Sequence, residues 1–403
     1  MLVQKYGGSS VATTEKIIDI AKNIKIRLKK ENKMIVVVSA MGKTTNNLIS
    51  LCNEITLSPQ KRELDALLSS GEQISASLLA IALNNQNIKA ISLNAFQAKI
   101  KTTNDFNKAL IKTIDKQKLL SHLKNHDVLV ITGFQGVDSK NNITTLGRGG
   151  SDTTAVALAS VLNCDCEIYS DVESVYTINP ELFKNAKKLK VLSYDQMLEM
   201  ASNGAKVLDT RCVEIAKKYN VKTYLGKSLE NNHNKGTYVM QKNSIEDVSV
   251  LNISIRDDVI KAEINSNFIS QTIKDLKNIN LNLEMFYYQN NKISFICKKN
   301  EQKSIKNAVK TQKNNTKLNF FENLCKFTLV GFGFVTHPII AEKLSDLLYK
   351  NNINLINLYV TETTISFLIN QKDKLKAISL LTKLYKLWIL PLLEPPDLLA
   401  QPF

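Results

Sequence analysis

Two short segments carry residue types suited to holding anions. The first is Lys5-Tyr6-Gly7-Gly8-Ser9-Ser10-Val11, and the second is Thr144-Thr145-Leu146-Gly147-Arg148-Gly149-Gly150-Ser151-Asp152. In the first, paired glycines let the backbone approach a bulky anion and aim successive N–H groups at it. A helix beyond the turn adds the partial positive charge of its N-terminus, and Lys5 adds a full one. In the second, another glycine-rich turn enters another helix, with Ser151 and Asp152 read as its capping pair. Arg148 sits inside that turn, suited to forking onto a carboxylate or a phosphate. Two such turns suggest a phosphate chain held at one and an acceptor at the other. A third segment only imitates this chemistry. Gly42-Lys43-Thr44 resembles the end of a Walker A loop, but that loop needs a glycine five residues before Gly42, and Val37 stands there.

The elements that must position these turns follow from hydrophobic patterning. Strands are predicted at Leu2–Tyr6, Met34–Ser39, Lys89–Leu93, Asp127–Gly133, Cys166–Ser170 and Val221–Leu225. Helices are predicted near Glu15–Lys30, Thr45–Leu57, Gly71–Asn84, Gln117–Lys124, Ser151–Leu162, Ser193–Ala201 and Thr210–Lys218. Near-continuous apolar strands such as Ile35-Val36-Val37-Val38 imply burial on both faces. The reading is a three-layer α/β domain with a largely parallel sheet over residues 1–230. A polar segment, 231–246, reads as a linker. Beyond it a repeat is visible. Asn278-Ile279-Asn280-Leu281 recurs as Asn352-Ile353-Asn354-Leu355, and Ile293-Ser294-Phe295 recurs as Ile365-Ser366-Phe367. Each copy reads strand, helix, strand, strand, helix, so residues 247–387 are expected to hold two small α+β units side by side. The segment 388–403, rich in proline and leucine, reads as an atypical tail.

Composition narrows the function classes. The chain has 403 residues, a net charge of +16 and 44% hydrophobic residues, which suits a globular protein of two or three domains. No apolar run reaches the ~18 residues of a membrane span, and no signal segment opens the chain, so a cytoplasmic protein off the membrane is expected. The lysines are spread along the chain and form no arginine-rich or aromatic-interleaved patch. A positive field that gathers small anions fits better than nucleic-acid binding. The six cysteines include one close pair, Cys164 and Cys166, with no His cluster to complete a metal set. They are expected to be reduced and mostly buried.

On these residues the chain resembles the aspartate kinases of the amino acid kinase family, with two ACT-type (ferredoxin-like) regulatory units at the C-terminus. The similarity runs through nearly the whole chain and weakens in the repeats. It implies transfer of phosphate from ATP, with Mg²⁺ on the phosphates and no metal held by the protein alone, to the side-chain carboxylate of L-aspartate. It also implies roles for individual residues. Lys5, Asp152 and Lys206 would be catalytic. Lys5, Gly7, Gly8, Ser9, Ser170, Asp171, Tyr176 and Lys206 would hold the nucleotide. Ser39, Thr45, Glu72, Arg148, Gly149 and Ser151 would hold aspartate, with Glu72 on its ammonium and Arg148 on a carboxylate. A carboxylate acceptor is already ionised at neutral pH. It needs no general base, only positioning and charge neutralisation.

This sequence departs from the family pattern at several points. Ser9 replaces a threonine, Ser170 stands before Asp171 where threonine is usual, and Glu173-Ser174 replaces Asp-Gly. Glu181 stands where an arginine is usual, which puts an anion in the nucleotide segment. In the repeats, the usual Pro-Gly gives way to Asn265-Ser266-Asn267-Phe268, and Tyr359-Val360-Thr361-Glu362 replaces Ser-Thr-Ser-Glu. A homodimer formed through the repeats, and lysine or threonine as effector, are the partners implied. Two other readings remain at this stage: another carboxylate kinase such as an acetylglutamate kinase, and a catalytically weak amino-acid sensor.

Overall fold

Six predicted strands pair into one sheet because each is apolar enough to be covered on both faces. A computed structural model describes the chain except residues 205–206, 230–234, 242–249, 266–268, 280, 282, 311–316 and 388–403. The tail, most of the linker and Ser266-Asn267-Phe268 therefore lie outside the described residues. The chain forms two compact units: residues 1–175 with 188–243, and residues 176–187 with 244–403. Residues 176–187 were expected in the first domain but group with the second.

In the first unit the sheet order is Val191–Leu192, Thr237–Val239, Thr223–Lys227, Cys166–Ser170, Leu2–Tyr6, Met34–Val38, Val128–Thr132, Ala90–Leu93. Every pair is parallel except Thr223–Lys227 with Thr237–Val239. Alternation along the strands decides what faces what. Leu2, Tyr6, Met34, Val36, Val38, Val128 and Val130 pack with Ile17, Ile20 and Ile24 of the helix Thr14–Leu28 and with Leu79 and Leu83 of the helix Lys61–Asn84. Val3 and Lys5 point the other way, toward the helix Gly150–Leu162. That parity brings Lys5 under the second glycine turn.

Two features of this unit differ from expectation. The helix predicted at Gly71–Asn84 starts at Lys61, and Gly71 lies inside it. A Cβ on Gly71 would sit 2.8 Å from the Ala40 Cβ, so this glycine serves close packing rather than a helix start. A second small sheet, in the order Ile111–Ile114, Ile100–Thr102, Gln135–Val137, Ile143–Thr145, was not foreseen. Its strands are only three or four residues long and carry no run of alternation for a pattern search to find. By length and composition the helix Lys61–Asn84 could cross a bilayer, but half of its most apolar window is buried within the fold. The six cysteines are free, four of them buried and Cys52 and Cys164 half-buried.

The second unit holds two four-stranded antiparallel sheets. One has the order Glu284–Gln289, Lys292–Lys298, Val259–Asn265, Lys317–Phe321. The other has the order Val250–Arg256, Leu324–Gly331, Thr364–Asn370, Asn357–Val360. The repeat is real at the level of packing. Ile293 and Phe295 lie opposite Ile264 and Ala262, and Ile365 and Phe367 lie opposite Leu329 and Phe327, with all eight side chains buried. Yet the copies are interleaved rather than consecutive. Val250–Arg256 precedes the first copy but pairs with Leu324–Gly331 of the second.

An ion cluster fastens the two sheets. Glu284 of the first sheet accepts from Arg256 Nη1 (2.6 Å) and from Lys326 Nζ (2.7 Å), both carried by the second sheet. Burial alone would raise the Glu284 pKa, but Lys326 and Arg256 outweigh it and hold the carboxyl below its usual range. The Lys326 side chain is only 6% exposed, so its charge has no other outlet. Glu284→Gln should therefore cost about 2 kcal/mol in urea unfolding, below the ~3–5 for a fully buried pair because Glu284 is partly solvated. A lowered folded pKa contributes stability above the unfolded value that is lost as pH falls. The deficit of the variant should accordingly shrink in acid.

Candidate active site

The two anion-suited turns meet at the C-terminal edge of the parallel sheet, around a cleft of about 360 Å³. Lys5, Gly8, Ser39, Thr45, Glu72, Arg148, Gly149, Ser151 and Asp152 all line it.

Lys5 is the penultimate residue of the strand Leu2–Tyr6, and Asp152 lies in the first turn of the helix Gly150–Leu162. Their Nζ and Oδ1 are 2.6 Å apart, with side chains 9% and 14% exposed. The pair is thus largely desolvated, and both residues line the cleft. The adjoining Gly7-Gly8 turn is tied to its surroundings by backbone. Gly7 N–H donates to the Tyr169 carbonyl (3.0 Å), and the Gly8 carbonyl accepts from Gly42 N–H (3.0 Å). A Cβ on Gly8 would lie 2.8 Å from the Ala40 oxygen, so the two loops touch only because Gly8 has no side chain. The amides of Gly8 and Ser9 donate no hydrogen bond among the described residues. The helix after this turn starts only at Thr14, and its N-terminus is capped by Thr13, whose Oγ1 accepts from Lys16 N–H. The dipole contribution expected at the first turn is therefore weaker than the sequence implied.

The second turn is the stronger anion site. Gly149 is the N-cap, with φ +68°, and no side chain caps the helix. A Cβ there would fall 2.2 Å from that of Asp209. The expected Ser151-Asp152 cap is not formed. Asp152 is committed to Lys5, and Ser151 packs over Gly133, where a Cβ would sit 2.6 Å from its Oγ. Gly150 N–H is taken up within the turn by the Gly147 carbonyl (3.0 Å), and the amides of Ser151 and Asp152, which donate no hydrogen bond among the described residues, are the ones open to a ligand. The Arg148 guanidinium is exposed and makes no ion pair among the described residues.

Glu72 sits on the helix Lys61–Asn84 and is 3% exposed. Its Oε1 accepts from Ala40 N–H (3.1 Å), while its buried Oε2 has no partner among the described residues. Burial pushes its pKa up to about 7, against the pull of the Ala40 amide. A carboxylate held dry with one oxygen unmet is suited to receive a cation from the cleft. The same helix fixes the facing loop, because Ser75 Oγ donates to the Ser39 carbonyl at 2.8 Å.

Other expected residues fall outside the cleft lining. Gly7 abuts Ser170: a Cβ on Gly7 would stand 3.9 Å from the Ser170 Cα and 3.4 Å from Lys5 Nζ. Ser170 Oγ accepts from Val172 N–H, and Asp171 is exposed. Tyr176 belongs to the second unit and packs against its core. Lys206 lies outside the described residues. Ser174, where the pattern has glycine, is buried with its hydroxyl 2.9 Å from Thr237 Oγ1, and Glu173 pairs with Lys188. Glu181 is exposed in an Asn179 turn of the second unit.

Two residues of this region were missed by sequence reasoning. Arg211 donates from Nη1 to the Leu146 carbonyl (2.6 Å) and from Nη2 to the Ala109 carbonyl (3.0 Å). Asp65, fully buried, receives Thr145 N–H and Oγ1–H, each at 2.7 Å, and the amide of Asn107. Asp65 was hidden because the expected helix began at Gly71, ten residues after its actual start at Lys61.

A dry lysine–carboxylate pair between two glycine turns at the edge of a parallel sheet defines a site for small anionic substrates, and comparison identifies the class. The amino acid kinase family matches residues 1–227, and an ACT domain matches residues 321–383. The chain belongs to the amino acid kinase family, among its aspartokinases. It is 36% identical to the aspartokinase of Bacillus sp. (strain MGA3), over 96% of this chain and 97% of that protein. It is also 36% identical to that of Geobacillus stearothermophilus, over 94% and 95%. The fold matches E. coli aspartokinase III, solved with aspartate and ADP, at a TM-score of 0.80 and 20% identity, covering 95% of this chain and 99% of that one.

Proposed function

We propose that the chain phosphorylates the side-chain carboxylate of L-aspartate with ATP, giving 4-phospho-L-aspartate at the entry to lysine, threonine and methionine synthesis. One observation carries the reading. A single cleft presents, on Glu72, a buried carboxylate oxygen and, on Arg148, a guanidinium, neither with a partner among the described residues, the two poles an amino acid would satisfy. The names of the similar proteins support it. In this reading Glu72 takes the ammonium and Arg148 a carboxylate, with Ser39, Thr45, Gly149 and Ser151 closing around them. Lys5 neutralises charge on the transferring phosphoryl group, held in place by Asp152. Gly7, Gly8, Ser9, Ser170 and Asp171 line the nucleotide's side, and Lys206 and Tyr176 are assigned there by motif alone. Mg²⁺ arrives on the triphosphate as part of that substrate. Among the described residues no group of three acidic, His or Cys side chains converges to hold an ion.

Chemically, a carboxylate oxygen of aspartate attacks the γ-phosphorus, the bond to the β–γ bridging oxygen breaks, and ADP leaves. No proton need move. Residues 1–230, apart from 176–187, form the catalytic domain in this reading. Residues 247–387 form the ACT-type pair, read as binding lysine or threonine and pairing two chains. The reaction is read as cytoplasmic, where ATP is available as donor.

The test is acyl-phosphate trapping. With ATP, Mg²⁺ and hydroxylamine, aspartate should yield its hydroxamate. Glutamate and acetylglutamate should yield none. Product from acetylglutamate and none from aspartate would overturn the assignment.

A further inference from the structure

We propose that Asp65 is a positioning residue that sets the span of the amino-acid clamp, by tying the Arg148 turn to the helix that carries Glu72. The inference rests on the aspartate-binding roles given above to Glu72 and Arg148. Both acids belong to the helix Lys61–Asn84, seven residues apart. A seven-residue step returns to within about 20° of the same helix face. One rigid element therefore faces the cleft with Glu72 and the base of the glycine turn with Asp65.

The attachment is dense and specific for a carboxylate. Asp65 Oδ2 accepts from Thr145 N–H (2.7 Å) and Asn107 N–H (3.0 Å), and its Oδ1 accepts from Thr145 Oγ1–H (2.7 Å). Asn107 N–H also reaches Oδ1 (3.1 Å), so both oxygens face a backbone donor, and an amide nitrogen at either position meets a backbone N–H donor-to-donor, a clash that the rotatable Thr145 hydroxyl cannot relieve. The two residues held are the ones that shape the turn. Thr145 ends the strand Ile143–Thr145 that enters it. The Asn107 carbonyl lies 2.8 Å from where a Cβ on Gly147 would stand, so Asn107 forms the floor under Gly147 (φ +80°). The next residue is Arg148. Arg211 holds the Leu146 carbonyl between them, which leaves the turn little freedom except to follow Asp65. Asp65 itself is fully buried and does not line the cleft, so its effect on substrate passes through the turn.

Asp65→Asn should raise KM for aspartate tenfold or more and leave KM for ATP within twofold, with kcat largely recovered at saturating aspartate. Thr145→Val, which removes a single donor from the same carboxylate, should shift KM for aspartate by severalfold in the same direction. A purely structural role would lower the active fraction and leave both KM values unchanged. Unchanged KM for aspartate in Thr145→Val overturns the proposal, and this variant decides alone if Asp65→Asn does not unfold cooperatively. Equal rises in both KM values also overturn it. Wild-type protein that makes no aspartyl hydroxamate would instead remove the functional reading beneath it.

Discussion

Lys5→Ala lowers kcat for aspartyl phosphate formation by about 10²–10³, the loss that follows removal of one charged or hydrogen-bonding partner of a transition state. Lys5 Nζ lies 2.6 Å from Asp152, and their burial keeps solvent from substituting for either charge. Deleting the lysine removes positive charge where the transferring phosphoryl group passes and leaves Asp152 as an uncompensated anion beside it. Asp152→Ala should be less severe, since Lys5 keeps its charge and loses only its anchor. The double variant should fall well short of the product of the two single effects, because the residues act as one unit. Steady-state rates by hydroxamate trapping give all three values. A Lys5→Ala enzyme within threefold of wild type would remove Lys5 from the chemistry.

Glu72 gives the second large effect, and it depends on pH. Burial holds its pKa at about 7, well above the ordinary carboxylate value. The sign follows from linkage. A raised folded pKa means that the protonated acid is the form the empty fold prefers. Its contribution to stability is complete below the unfolded pKa and is lost as pH rises through about 7. Aspartate reverses the preference, because its ammonium needs the ionised form. Affinity for aspartate should therefore weaken below pH 7, by at most about tenfold per unit. KM for ATP should not follow. Glu72→Gln should raise KM for aspartate about 10²-fold, the cost of truncating one partner of a buried charge pair, and should flatten the pH profile. A profile in the variant as steep as in wild type would place the titrating group elsewhere.

The parallel sheet could be read from sequence because Met34–Val38 and Val128–Thr132 are apolar at almost every position, and few other structures need that. The cleft could be read because glycine turns announce backbone requirements that local composition reveals. The bracing could not. Asp65 lies in a polar stretch whose helical character is carried by later residues, and its partners Asn107 and Thr145 are distant in sequence. Arg211 likewise acts on carbonyls, which have no signature in the letters. The helix cap at Ser151-Asp152 was misassigned because a side chain that matches a local pattern can be claimed by a stronger distant partner, here Lys5. The interleaving in the second unit escaped for a related reason. Repeats show which elements resemble each other, while strand pairing across a sheet is a long-range choice.

That interleaving has a consequence for the order in which the chain is made. Val250–Arg256 leaves the ribosome with only the earlier Ile178, which bridges Ile253, along one edge; the strand for its other edge, Leu324–Gly331, follows roughly seventy residues later, about 4–14 s at about 5–20 residues per second. The segment between them, Val259–Phe321, contains every strand of its own sheet and can close at once. During synthesis the finished small sheet is therefore preceded by an open edge strand, which a second nascent chain on the same message can capture. Slowed translation across 257–323 lengthens that interval and favours chains that exchange this strand.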